Sequence, residues 1–401
     1  MMWASTSLPT TVSLRETGDP VVCDLDTTVV DWLVDHDVIS AYPARGGGWE
    51  LSARRKVGAV RVGGVTVWVK PKIPVSRIVW MLGWANKSVW QPGDPLGMSE
   101  ADDLVPALAA AFCRQAERTL QQGLLRGYRS VEADLTVLRG RVRTADQLRR
   151  RFGMPMPLSV RYQDHLADIP ENQLLRAAAT RLLRLPGVNA DTRGRLRRLR
   201  GLLDGITDLP LGRPLPRWHR SRLNSRYHHA LALAEIVLSD RSFESSTGAL
   251  TVDGFLVDMY QLYEDFVTAV LSDSLERIGG RSVAQHRYSL DEEGAIDIRP
   301  DLIWKVSEQV LAVVDAKYKA ERVSGFPQAD LYQAVAYATA YGLDRAHLVY
   351  AQGNEPASTW TVRNAGVKIT AHTLDLGATP EEILEEIGDV AQRVASGRMP
   401  A

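Results

Sequence analysis

The residues best suited to chemistry fall in one stretch, IDIRPDLIWKVSEQVLAVVDAKYK, residues 296–319. Pro300-Asp301 precedes a short polar turn near residues 305–309, and the apolar run Leu311-Ala312-Val313-Val314 leads into Asp315-Ala316-Lys317. In a strand, residues two apart share a face, so Asp315 and Lys317 point the same way. Asp301, ending the neighbouring strand, is placed to lie opposite. Two carboxylates converging at a sheet edge hold Mg²⁺, a hard cation, by oxygen ligands, while a nearby lysine stabilises or deprotonates an attacking water. Ending a buried run with an aspartate and a lysine costs desolvation unless they are paired or bind something. A salt bridge at the strand end is the competing reading. The lysine carries much of the information: 8 lysines stand against 40 arginines, with none between Lys87 and Lys305, so a lysine in a catalytic spacing is less easily a coincidence.

Two helical features extend the set. Over residues 255–275 an apolar stripe runs through Leu256, Tyr260, Tyr263, Val267 and Val270, and Glu264 borders it. Glu264 there is either a further metal ligand or a partly exposed helix glutamate. Gln333 and Tyr337, four apart, share a face of the next helix and contact DNA phosphate or brace the lysine, with core packing of Tyr337 as the alternative. Other constellations fail. His228 and His229 are adjacent, about 100° apart on a helix, and no nearby Cys or His completes a zinc set. No lysine follows a glycine, which excludes the Gly-Lys of a phosphate-cradling Walker loop. Neither a Gly-x-Ser-x-Gly elbow nor a dinucleotide fingerprint occurs, and Cys23 and Cys113 form no paired spacing and read as packing residues.

The elements that must position these residues are legible in outline as an α+β, multidomain chain. Residues 1–98 read as a β-rich N-terminal domain. Its clearest piece is VGAVRVGGVTVWVKPKI, a hairpin in which valines alternate with Arg61, Thr66, Trp68 and Lys70 around Gly63-Gly64, ending where Pro71 cannot donate to a ladder. Residues 99–245 read as a helical, arginine-rich middle, with helices at 99–125, 171–184, 191–203 and 221–238, the first capped by Ser99. Residues 246–401 read as a C-terminal α/β domain: helix 255–275, strands 295–304 and 309–318, helix 330–341, strand 346–351 and a helix at 379–395 opening on Thr379-Pro380.

The 48 Lys+Arg balance 48 Asp+Glu, so bulk charge names no partner. With 45% hydrophobic and 24% charged residues, disorder throughout, collagen and a simple coiled coil are excluded. No apolar stretch approaches the roughly 18 residues of a membrane span, and MMWASTSLPT lacks the basic start of a secretion signal, so a cytoplasmic protein is expected. The neutral total conceals ten arginines between Arg193 and Arg226 against Asp204 and Asp208 alone, a stripe that either tracks phosphates or coats a solvated helix.

As an ordered set, Pro300-Asp301, Asp315-Ala316-Lys317, Glu264 in YQLYEDFV, and Gln333 with Tyr337 in LYQAVAYATAYGL resemble the PD-(D/E)xK nuclease superfamily. The closer resemblance is to McrC, the nuclease subunit of the McrBC modification-dependent restriction system. It extends upstream to the hairpin with its Pro-Lys-Ile end, to VLRGRV at 137–142 and to IPENQLLRAA at 169–178, and covers roughly residues 50 to 375. The resemblance implies a PD-(D/E)xK domain and a Mg²⁺-dependent DNA endonuclease, with Mn²⁺ as a substitute metal. It also implies a GTP-hydrolysing, McrB-like AAA+ hexamer as partner, which recognises the modified base on double-stranded DNA and whose GTPase the chain stimulates. On the family pattern Asp301, Asp315 and Glu264 are metal ligands and Lys317 positions or activates water. The hairpin carrying Arg61, Gly63, Gly64 and Trp68 is either the docking element, as a tip inserted into a ring pore, or an ordinary edge hairpin of a small barrel. The rival readings are a non-cleaving activator of the partner and a stand-alone exonuclease of the RecB type.

Overall fold

The computed structural model describes residues 11–85, 103–210, 213–239, 242–245, 251–320, 328–352 and 358–396, and the chain divides into two compact units. One gathers residues 1–108, 185–187 and 240–401; the other gathers 109–184 and 188–239. The expected cap Ser99 lies outside the described residues. Among the described residues, no helix is long and apolar enough to cross a membrane.

In the first unit, Lys56–Val62 and Val65–Lys70 form the expected hairpin, turning on Gly63 and Gly64, both at positive φ (55° and 94°) as a tight two-residue hairpin turn requires. The hairpin does not stand free. Thr11–Arg15 pairs parallel to its second strand, and Val252–Asp258, far along the chain, pairs antiparallel to its first, inside a five-stranded sheet. That pairing corrects the helix expected from residue 255. The unbroken apolar run Phe255-Leu256-Val257 is buried as a strand, and the helix begins at Met259, capped by the Asp258 carboxylate, which accepts from the Tyr260 and Gln261 amides.

Gly58 marks the closest approach in this sheet: its φ is +129°, and a Cβ there would sit 2.2 Å from the Phe255 carbonyl oxygen. Gly58→Ala is therefore expected to cost more than about 2 kcal/mol. The check is the urea midpoint of the variant against wild type. An unchanged midpoint would mean that this sheet does not hold the capped helix in place.

Met259–Ile278 buries Leu262, Tyr263, Phe266, Val267 and Val270. Beside it lies a six-stranded sheet in the order Arg281–Ala284, Leu302–Val306, Gln309–Ala320, Arg345–Gln352, Lys368–Thr373, Ser358–Thr361. The helix Gln328–Ala340 links two parallel central strands, Gln309–Ala320 and Arg345–Gln352. Its Ala334, Tyr337 and Ala338 join Ile303, Val313, Leu348, Tyr350 and Ile369 in the core. The strand expected over 295–304 is two pieces, Asp297–Ile298 and Leu302–Val306, because Pro300 interrupts the ladder. The C-terminal helix starts as expected, with Thr379 and Glu382 forming a capping box before Pro380–Ala395.

The second unit is not purely helical. Pro170–Arg184, Ala190–Leu202 and His228–Leu238 are helices, but Gly127–Leu135, Arg141–Val142 and Leu158–Leu166 form a three-stranded sheet, with a short helix, Thr144–Arg150, between its last two strands in the chain. These strands do alternate, with Val131, Ala133 and Leu135 half-buried beside exposed Glu132 and Asp134, and Tyr162 and Asp164 half-buried beside exposed Arg161 and Gln163, but the inward set mixes polar with apolar side chains and so gives only a weak period-two signal. Several arginines of the basic stripe work inside the unit: Arg195 pairs with Glu117, while Arg193 and Arg226 bond backbone carbonyls.

Candidate active site

The antiparallel pairing of Leu302 with Val314 sets Asp301 directly across from Asp315, so both carboxylates emerge on one face of neighbouring strands. They are 8% and 3% exposed. Asp301 is held at both oxygens. Its Oδ2 accepts from the Ala316 amide at 2.8 Å, and its Oδ1 accepts from the Gln285 side-chain nitrogen at 3.0 Å. The same nitrogen donates to Glu264 Oε1, which brings the helix Met259–Ile278 to the aspartate pair. Glu264 and Gln285 also line a cavity of about 740 Å³, with Trp84, Asp265, Thr268 and Glu276 around it.

Lys317, two residues after Asp315 and on the same face, forms an ion pair with it and donates to Gln333 Oε1 at 2.9 Å. The Gln333 amide is fixed in turn, because its nitrogen donates to the Tyr337 hydroxyl at 2.7 Å and that hydroxyl donates to the Arg299 carbonyl at 3.2 Å. Gln333 thus contacts the lysine directly, and Tyr337 reaches it through Gln333 while packing in the core.

The electrostatics follow from burial and crowding. Burial, then the Glu264 charge, pushes the Asp301 carboxyl up to about 7. Burial, then the Asp301 charge, pushes Asp315 up to about 7 as well. Glu264 is also raised, by burial first. Burial works against the Lys317 charge, but the adjacent Asp315 outweighs it and holds the ammonium above the usual lysine range. The site thus collects two buried carboxyl groups and the half-buried Glu264 around one ammonium, an all-oxygen donor set short of positive charge. That set fits a hard divalent cation, and Mg²⁺ commonly takes one or two carboxylates and keeps its remaining positions for water and phosphate oxygens. Among the described residues, no three Asp, Glu, His or Cys side chains already close into a metal cage. Asp301 and Asp315 are accordingly the first candidates as ligands, with Glu264 alongside.

The structure therefore brings together Asp301, Asp315, Lys317, Glu264, Gln333 and Tyr337. The hairpin residues Arg61, Gly63, Gly64 and Trp68 lie elsewhere, and the hairpin is not the projecting two-stranded tip expected of a docking element. Both its strands are paired on their outer sides, Arg61 is half-buried across from Asp253, and Trp68 packs against Gly187. Two site residues escaped the sequence. Gln285 sits at the end of a four-residue strand, and Asp330, 4% exposed, accepts from the Tyr350 hydroxyl at 3.2 Å. No motif marks the first; the second shares a helix face with Gln333 and Tyr337, a spacing that could have found it.

The model of one protein family, the McrBC 5-methylcytosine restriction system component, matches residues 51–351. Among solved structures, a chain of the refined half-complex from the tetradecameric assembly of Thermococcus gammatolerans McrB AAA+ hexamers with bound McrC is 20% identical, with a TM-score of 0.64 over 96% of this chain and 100% of that one. At that identity the likeness is one of fold. A chain of the cryo-EM structure of the Thermococcus gammatolerans McrBC complex is 22% identical, with a TM-score of 0.45 over 66% of this chain and 88% of that one. No curated protein sequence matches.

Proposed function

The chain belongs to the McrBC family of 5-methylcytosine restriction system components, and from that membership we propose that it is the cutting subunit, a Mg²⁺-dependent endonuclease of the PD-(D/E)xK type acting on modified DNA. The observation that carries this reading is the facing pair Asp301 and Asp315, buried on neighbouring interior strands with Lys317 on the same face. A divalent cation held by these carboxylates supplies charge neutralisation for a phosphate oxygen and acidifies water. The chain's own residues do the rest. Asp301, pinned at both oxygens, presents its remaining lone pairs in a fixed direction. Lys317 stays charged, so it steadies a developing hydroxide or the charge on the phosphate and is not the base that removes the proton. Gln333 and Tyr337 fix the ammonium's position.

The proposed partner is an McrB-like AAA+ hexamer that hydrolyses GTP and selects the modified base. This chain has no Walker lysine of its own, which supports the division of labour. With the hairpin built into a sheet, the better docking surface is the second unit's exposed apolar side chains around Leu148, Phe152 (85% exposed) and Met154. Phe152→Asp is expected to lower stimulation of the partner's GTPase by about tenfold or more, with folding unchanged. Equal stimulation by the variant would remove this surface from the account.

The function is tested by mixing the chain with its AAA+ partner, GTP, Mg²⁺ and methylated double-stranded DNA. Internal cuts that need all four and cease with chelator are expected. Degradation from ends without GTP would favour the exonuclease reading, and GTPase stimulation without any cutting would favour the activator.

A further inference from the structure

We propose that Gln285 is a positioning residue for the cation site, whose carboxamide holds Glu264 and Asp301 side by side and so sets how tightly a divalent cation is bound. The inference rests on the nuclease reading of that site. Ala284 pairs with Leu302 across the first two strands of the six-stranded sheet, which puts Gln285 next to Asp301. The backbone confirms the register, because the Gln285 amide donates to the Asp301 carbonyl at 2.9 Å. From that anchor the side chain reaches across the cluster. One nitrogen, with two protons to give, donates to Asp301 Oδ1 and to Glu264 Oε1.

Three features say that this contact serves the carboxylates and not the fold alone. The buried Asp301 and half-buried Glu264 carboxylates, close together, repel, and a neutral amide that donates to both holds them together without bringing a charge that would compete with a cation. Each carboxylate oxygen has two lone pairs, and Gln285 uses one on each of the two it touches, leaving the others free for a metal ion. Finally, Gln285 has φ +51°, in the left-handed region where glycine is at ease and glutamine is uncommon. Glycine would suit the backbone better, so the side chain is what this position retains. Such partners of metal ligands typically change metal affinity or activity about 10- to 100-fold when removed. Gln285 and Glu264 line the same cavity, so a cation reaches them from solvent.

The test is titration of Mn²⁺ or Mg²⁺ into the full chain by calorimetry, with melting temperature measured alongside. Gln285→Gly relieves the backbone and deletes the amide; Gln285→Met keeps the length and removes only the donors. Both variants are expected to bind the cation about tenfold or more weakly, with the glycine variant melting no lower than wild type. Affinity within twofold of wild type in both, or tighter, overturns the proposal while leaving the nuclease reading intact. A wild-type chain that takes up no divalent cation overturns both.

Discussion

Asp315→Asn is expected to lower DNA cleavage at least about a hundredfold while leaving the chain folded and its melting temperature undiminished. The loss of activity follows from geometry: the facing pair becomes a single carboxylate, and the oxygen ligands on the second strand are halved. The retained stability follows from the charge balance. Glu264, Asp301 and Asp315 crowd one ammonium, and Lys317 also lies within the field of Asp330. Asparagine keeps the shape and removes one charge from an acid-rich cluster, and Lys317 keeps Asp301, Asp330 and the Gln333 oxygen around it. Cleavage by the variant at the wild-type rate would remove Asp315 from the site. A large fall in melting temperature would mean that the pair is structural, the salt-bridge reading left open by the sequence.

Lys317→Met should behave in the opposite way towards stability. It removes the positive charge from the same cluster and leaves buried carboxylates facing one another, a situation that costs about 3–5 kcal/mol when one partner of a buried pair is deleted. Lys317 is mostly buried against Asp315 and Gln333, so little solvent screening reduces that cost. Cleavage is lost as well, because no ammonium remains to steady the attacking hydroxide. The double variant Lys317→Met with Asp315→Asn should recover most of the lost stability and none of the activity. Urea unfolding of the two single variants and the double closes the cycle. Additive losses in the double would show that the two side chains are not coupled.

These two outcomes also separate what the sequence made legible from what it did not. Asp315 and Lys317 were legible because they break the polarity of a buried strand, and Asp301 because the pattern places it at the end of the neighbouring strand, although the folded strand Leu302–Val306 starts just after it and does not finish there. Gln333 and Tyr337 were legible as a face of a helix, although only the folded chain shows that Gln333 accepts from Lys317. Glu264 was placed on its helix, but the start of that helix was misread: a continuous apolar run such as Phe255-Leu256-Val257 fits a buried strand or a helix equally well until its partner, Lys56–Val62, is known. The same long-range pairing misled the reading of the Gly63-Gly64 hairpin, which was recognised as a hairpin but not as an interior piece of a sheet. Gln285 was invisible because its contacts depend on strand register and on a side chain reaching a helix; local spacing encodes neither.

The central claim is that Asp301 and Asp315 jointly hold a divalent cation. It is tested most directly by crystallising the chain with Mn²⁺ and measuring the anomalous signal. A peak within bonding distance of carboxylate oxygens from both residues is expected, lost in Asp315→Asn. A peak confined to other residues, or no peak at a Mn²⁺ concentration that supports cleavage, would contradict it.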